Sequence, residues 1–289
     1  LGTPGSVTKN SGLSSGSVVL AFSAASTAFD YLAAGETLTL TYTVAINDLD
    51  GGVTTQTFVV TVTGTNDAPA VAAITQQDLN EQTDTAALTT TIPVTFTDVD
   101  LTDVGHTATI THAVASDTTT GLALNEAALI ALVTPGAVTK NSGSSSGSVD
   151  LAFSAASTAF DYLAAGETLT LTYTVAINDL DGGVTTQTFV VTITGTNDAP
   201  TLTAVSTDPI VDTSADDSFS PITGTLVGSA VDGRETAPLT SAAPDGLPAV
   251  NEQIAGTSGT LTADLDGHYQ YLPHSADSQA SAQCDGHAH

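Results

Sequence analysis

The chain has 289 residues, 31 Asp and Glu against 3 Lys and Arg, and a formal net charge of −28. That balance excludes nucleic acid and anionic membrane surfaces as partners, because both require Lys and Arg to replace counterions. Hydrophobic residues make up 41% and charged residues only 12% of the chain, so it can bury a core, yet no apolar run is long enough for insertion into a membrane as a helix.

Trp and Met are missing, and Cys284 is the single cysteine. No internal disulfide can form, so packing or bound ions must stabilise the fold. The Ala, Thr, Val, Gly and Ser that dominate the sequence favour thin β-sandwiches. A chain opening at Leu1, with no Met and no secretion signal, is expected to be a piece of something longer.

From the N-terminus onward the chain repeats itself. Residues 3–69 match residues 134–200 at a constant offset of 131, and only four positions differ: Ser6/Ala137, Leu13/Ser144, Val19/Asp150 and Val62/Ile193. Near-identity of that extent implies duplication of a whole module in an array. Three domains are expected: residues 1–69 as the closing part of one module, 70–200 as a complete module, and 201–289 as the start of another, ending in a low-complexity tail. Lacking its opening strands, the first piece should present unpaired sheet edges.

Within the complete module the hydrophobic period is two. "TTTIPVTFTD" (89–98), "HTATITHAV" (106–114), "GSVDLAF" (147–153), "TLTLTYTVAI" (168–177) and "TTQTFVVTIT" (185–194) alternate Thr or polar residues with large apolar ones. Each predicts a half-buried antiparallel strand. "LNEAALIALVTPG" (124–136) predicts one helix, capped by Asn125 and stopped by Pro135-Gly136. "NDLDGG" (178–183) predicts a hairpin turn in which Asp179 and Asp181 serve the turn. The fold class expected is all-β: tandem immunoglobulin- or cadherin-like sandwich modules with one short helix per full module.

The acids gather where strands end. "GTNDAP" places Asn66 and Asp67 at the first joint, Glu81 follows in "DLNE", and "TDVDLTD" carries Asp98, Asp100 and Asp103. Asp-x-Asp turns two carboxylates to one side of an extended chain, which suits a hard cation wanting six to eight oxygens. Asp30 and Glu36 are further candidates from the preceding piece. At the second joint the same recipe returns with Asn197 and Asp198. Asp161 and Glu167 approach from one side, and Asp212, Asp216 and Asp217 from the other. Ca²⁺ is the cofactor these oxygen donors predict.

Catalysis finds little support. No "GxSxG" elbow stands between a strand and a helix, and Cys284, His287 and His289 fit no zinc spacing. A glycoside hydrolase or polysaccharide-binding module is the alternative. It would draw on Glu81, Glu126, Glu167, Glu235 and Glu252, with Tyr269 or Tyr271 as sugar platforms. Tyr31 and Tyr162 occupy the same repeat position and are expected in a core.

"TYTVAINDLDGGVTTQTFVVTITGTNDAP" resembles the end of a VCBS repeat, a module of very large bacterial surface proteins and adhesins. The likeness covers residues 1–200, and "DTSADDSFSPITGTL" and "GTLTADLDGHYQYLP" resemble another version over residues 212–273. The module is also similar to cadherin repeats, with "TNDAP", "TDVD" and "LNE" standing at their Asn-Asp, Asp-x-Asp and early Glu motifs. That resemblance implies interdomain Ca²⁺ on Asn66, Asp67, Glu81, Asp98 and Asp100. It departs where "FDYLAAGE" sets Glu167 six residues after Asp161, because cadherins set a Glu two after an Asp. The function expected is a structural, adhesive segment of a secreted cell-surface protein. Its partners would be neighbouring repeats of the same parent, and extracellular polysaccharide.

Overall fold

The computed structural model describes residues 2–81, 86–203, 222–225, 228–229, 232, 252–255, 259–263 and 268–273. Two compact units are present, one of Leu1–Ala159 with Thr168–Thr194, the other of Phe160–Glu167 with Gly195–His289. The Asp212, Asp216 and Asp217 candidates lie outside the described residues.

The first unit opens with short strands β1 (Gly2–Pro4), β2 (Thr8–Lys9), β3 (Gly16–Ser17) and β4 (Leu20–Phe22), then a long hairpin of β5 (Thr37–Asn47) and β6 (Val53–Thr63). These form three separate two-stranded sheets, β1 with β4, β2 with β3, and β5 with β6. Next come β7 (Ala70–Val71), β8 (Gln77–Asn80), β9 (Leu88–Thr97), β10 (Thr107–Asp117), α1 (Glu126–Ala131), β11 (Val133–Pro135), β12 (Thr139–Lys140), β13 (Ser146–Ala155), β14 (Thr168–Asn178) and β15 (Val184–Thr194). They build a sandwich from a four-stranded sheet, β10-β14-β15-β8, and a five-stranded sheet with the path β11-β13-β9-β7 and β12 beside β13. The all-β sandwich expected from the alternating sequence is what forms.

The alternation explains why. In β14 every second residue, Leu169, Leu171, Tyr173, Val175 and Ile177, is buried, and in β9 and β13 Ile92, Val94, Phe96, Leu151 and Phe153 are. Period-two side chains point to one face of a strand, and removing each large apolar side chain from water contributes roughly 1.5–3 kcal/mol. Pro93 sits inside β9 opposite Asp150. It is tolerated because β7 pairs only with Phe96 and Thr97 on the other edge, so no ladder partner needs its missing N–H.

The helix is shorter than the sequence suggests. Asn125 caps it by accepting the Ala128 N–H at 2.9 Å, as expected, but the helix ends at Ala131. Val133–Pro135 instead pairs with Leu151–Phe153 as a strand. β-branched Val133 is buried there, so tertiary packing overrides the helical pattern. Tyr173 ties the helix to the sheet, its hydroxyl donating to the Leu129 carbonyl at 3.2 Å.

In the second unit β16 (Thr201–Leu202) pairs antiparallel with β18 (Gly228–Ser229). β17 (Ile222–Thr225), β19 (Glu252–Ala255), β20 (Gly259–Ala263) and β21 (His268–Pro273) form a sheet ordered β17-β21-β20-β19.

Candidate metal centre

The phrase "GTNDAP" is held in place by its glycine. Gly64 donates its N–H to Glu36 O at 2.8 Å, and a Cβ there would lie 2.3 Å from Leu32 O. Gly195 repeats the arrangement in the second unit, donating to Glu167 O at 2.8 Å with no room for a Cβ beside Leu163 and Ala164. Only glycine allows that close approach. The two glutamates close the turn that receives it, Glu36 accepting the Ala33 N–H at 3.0 Å and Glu167 the Ala164 N–H at 3.2 Å.

Beyond Gly64 the segment runs against two loops of the following sandwich. The β14–β15 turn nests on it, since a Cβ on Gly183 would meet Ala68 Cα at 2.7 Å and Asp179 Oδ2 at 2.0 Å. Asn66 Nδ2 donates to Asp179 Oδ2 at 3.1 Å, and the Asp67 N–H donates to Asp100 Oδ2 at 2.9 Å. Asp98 Oδ1 accepts the Asp100 N–H at 2.9 Å and its Oδ2 faces His106 Nε2 at 2.7 Å. Ligand atoms of Asp98, Asp103 and His106 all lie within 4.8 Å of one another.

Asp98, Asp100, Asp103 and Asp179 are all buried here, where a lone ionised carboxylate is costly. Among the described residues, the ammonium that approaches them does not pair with them. Buried Lys140 donates instead to the backbone carbonyls of Asp100 and Asp103, at 2.6 and 2.7 Å. Among the described residues, no hydrogen-bond donor reaches the buried oxygens Asn66 Oδ1, Asp100 Oδ1 and Asp103 Oδ2.

The electrostatics follow. Burial raises the Asp100 carboxyl, and the charges of Asp98 and Asp67 add to it, against the Asp67 N–H and Lys140. Asp103 is pushed up to about 6, first by burial, then by the hydrogen bond and charge of Asp181 and the charge of Asp98. Asp179 goes the other way. Burial raises it, but the Asn66 amide, the N–H groups of Asp181 and Gly183 and the His106 charge together outweigh burial. Clustered acids with raised pKa values and unpartnered oxygens have the chemistry of a hard-cation site.

The second unit holds a smaller version. The Asp198 N–H donates to Asp232 Oδ2 at 3.1 Å, as Asp67 does to Asp100. Register confirms the equivalence: Thr201 opposes Ser229 as Ala70 opposes Thr97, so Asp232 and Asp100 each follow three residues later. Ala230 stands in sequence where the first joint has Asp98. Burial raises Asp198, with the charges of Asp161 and Asp232 adding to it, and it raises Asp161 with help from Asp232. Asp198 Oδ2 is buried without a donor.

The structure therefore brings Asn66, Asp67, Asp98, Asp100 and Asp103 together, and places Asp161 and Asp198 near Asp232. Asn197 is exposed, and Glu167 serves its turn. Glu81 is not at the first joint. It follows β8, which runs parallel to the end of β15, and its N–H donates to Thr194 O at 2.9 Å. The turn that meets Asn66 lies ten residues back along β15, roughly 30 Å away. Tyr31, expected in a core, is 40% exposed.

Asp179, Asp181, His106, Lys140 and Asp232 complete the picture, and the sequence reading did not select them as ligands. Asp179 does serve its turn, accepting the N–H groups of Asp181 and Gly183 at 2.8 Å, but it also receives Asn66. Exposed Glu126, one glutamate of the carbohydrate alternative, is bound to His112. Glu235 lies outside the described residues.

No family model matches the chain, and no curated protein matches it. Among solved structures it is similar to the protocadherin gammaB4 extracellular domain, at 14% identity and a TM-score of 0.33, covering 96% of this chain and 40% of that one. Mouse clustered PcdhgC3 EC1-3 gives 14% identity and a TM-score of 0.31, covering 84% of this chain and 67% of that one. Human CDH23 EC21-23 gives 13% and 0.32, covering 83% and 65% respectively. The chain thus spans less than half the length of the first of these. Its structural neighbours are cadherin extracellular domains. Among the described residues no helix is long and apolar enough to cross a membrane.

Proposed function

We propose that the chain is a structural and adhesive segment of a secreted bacterial surface protein, an array of VCBS-type, cadherin-like sandwiches whose joints bind Ca²⁺. The repeat unit is residues 70–200, with residues 1–69 and 201–289 belonging to the neighbouring units. One observation carries the reading: buried Asn66, Asp100 and Asp103 oxygens that no donor satisfies, at the point where the linker meets two loops.

At the first joint Asn66, Asp98, Asp100 and Asp103 would hold the ion, with Asp67 and Asp179 as further oxygen donors. The ion supplies positive charge that offsets their mutual repulsion. The chain's own groups position the donors. The Asp67 N–H fixes the Asp100 carboxylate, Asn66 fixes Asp179, and Lys140 clamps the backbone of the 100–103 loop. A linker gripped this way cannot swing freely, so neighbouring sandwiches resist bending. In the second unit, among the described residues, Asp161, Asp198 and Asp232 would offer carboxylates to a second ion.

Isothermal titration with Ca²⁺ and Mg²⁺ tests this. Saturable Ca²⁺ binding, weakened about tenfold or more by Asp100→Asn, is expected. Equal binding by wild type and Asp100→Asn would remove the first joint from the account.

A further inference from the structure

An imidazole sits among the oxygen donors of the first joint. β9 ends at Thr97 and β10 begins at Thr107, in different sheets, so the loop between them crosses the end of the sandwich and brings Asp98 and His106 face to face. Gly105, with a φ of 93°, turns the chain just ahead of the ring, a conformation that favours glycine. The imidazole is buried, its ring stacks on buried Phe96 at 5.1 Å, and Nε2 lies 2.7 Å from Asp98 Oδ2. Its Nδ1 is buried and meets no partner among the described residues, so the ring's polar contact is with the acids.

Asp98, Asp103 and His106 each bring one ligand atom within 4.8 Å of the other two. Asp103 is 9% exposed, and no donor among the described residues reaches its Oδ2. Two carboxylates and an imidazole are not a calcium set. Ca²⁺ and Mg²⁺ take oxygen donors, whereas imidazole suits Zn²⁺ and the later first-row divalent ions.

We infer that Asp98, Asp103 and His106 form a subsite of the joint for a borderline transition metal of the Zn²⁺ class, beside the oxygen-only donors Asn66 and Asp100. The inference rests on the reading of the joint as a metal centre, shares Asp98 and Asp103 with the Ca²⁺ site, and differs in which ion those carboxylates hold. Little movement is needed. Zn²⁺ bonds of about 2.0–2.2 Å set neighbouring ligands roughly 3.3 Å apart around a tetrahedral ion, so the contact of Asp98 with His106 opens by only about half an ångström. The loop is already held on the other side, where Lys140 grips the carbonyls of Asp100 and Asp103. Phe96 covers one face of the ring, and an apolar shell of that kind limits the access of water to a metal.

The test titrates the full chain by calorimetry, with Zn²⁺ and with Ca²⁺ separately. Cys284→Ser, His287→Gln and His289→Gln are introduced throughout to remove the donors of the tail. One saturable Zn²⁺ is expected, weakened about tenfold or more by His106→Gln, whose amide can still hydrogen-bond to Asp98. Ca²⁺ binding should change by less than about twofold in that variant, because Ca²⁺ takes no nitrogen donor there. His112→Gln, in the exposed pair with Glu126, should leave the Zn²⁺ isotherm unchanged. Nitrogen NMR of the imidazoles reads the same site without substituting it, and Zn²⁺ should shift the ligating nitrogen of His106 where Mg²⁺ does not. Absent Zn²⁺ binding, an isotherm indifferent to His106→Gln, or a His106 resonance that Zn²⁺ leaves in place would each overturn the subsite and leave a buried hydrogen bond between His106 and Asp98 only. Zn²⁺ binding without Ca²⁺ binding would sink the calcium reading and keep this one. Ca²⁺ binding without Zn²⁺ binding would do the reverse.

Discussion

Lys140 and Lys9 are the same residue of the repeat, and they offer a matched pair of perturbations. Lys140 is buried and its ammonium donates to Asp100 O and Asp103 O at 2.6 and 2.7 Å. Lys9, 131 residues earlier, is exposed in β2. Lys140→Met keeps the apolar stem but strips two charge-assisted hydrogen bonds, leaves two buried carbonyls unpaired, and removes a cation from among four buried aspartates. Each such bond is worth about 1.5–3 kcal/mol, and breaking a buried charged contact from one side typically costs about 3–5 kcal/mol. At roughly 2–4 °C per kcal/mol for a unit of this size, the loss should lower the melting temperature by about 10 °C or more. Lys9→Met should change it by no more than a surface substitution does, within about 0.5 kcal/mol. Differential scanning calorimetry in chelator reads both. If the two variants melt alike, Lys140 does not organise the 100–103 loop and the account of the joint fails.

Other outcomes follow from the same geometry. Gly183→Ala drives a methyl into Ala68 and Asp179 and should destabilise the joint by about 1–3 kcal/mol. Gly52→Ala meets only the side chain of exposed Asp48 and should cost less, as paired chemical denaturation curves would read. The raised Asp103 carboxyl gives a pH signature whose sign reverses with metal. Its folded pKa of about 6 lies above the ordinary 3.8, so the folded state binds that proton more tightly. Chelated protein should therefore gain stability as pH falls from 7 through about 6 towards 4, on the order of 2 kcal/mol after allowing for solvent screening. Asp103→Asn should flatten that part of the profile. With Ca²⁺ present the proton competes with the ion, and the stabilisation by metal should shrink over the same interval.

Much of the fold was legible because its strands bury one face. Strict alternation in residues 89–98, 147–153, 168–177 and 185–194 fixed strand type and facing, and the structure shifts their ends only slightly. The helix was overextended because "ALIALV" satisfies a helical period, while only the tertiary fold can show that Val133 fills the core. At the site, Asp-x-Asp and Asn-Asp marked Asp98, Asp100, Asn66 and Asp67 directly. Asp179 was hidden by its own repeat. "NDLDGG" is an ordinary turn at Asp48, which accepts the N–H groups of Asp50 and Gly52 and is exposed. The identical turn becomes part of a site only where a linker crosses it. Asp232 carried no paired acid to mark it, and only the register of Thr201 with Ser229 reveals it as the partner of Asp198. Glu81 stands close in sequence to the first joint, but β8 carries it along the sandwich to Thr194, so its position there is legible only in the fold.

If the buried aspartates beside Asn66-Asp67 hold Ca²⁺ as proposed, the ion stiffens the joint. The most direct measurement is the melting temperature of wild type and Asp100→Asn across a calcium titration, each point paired with a chelated control. The account predicts a saturable rise for wild type of at least several degrees, about 2.7 kcal/mol at a hundredfold excess over Kd, and a much smaller rise for Asp100→Asn. A wild-type melting temperature that calcium leaves where chelator put it would contradict the account.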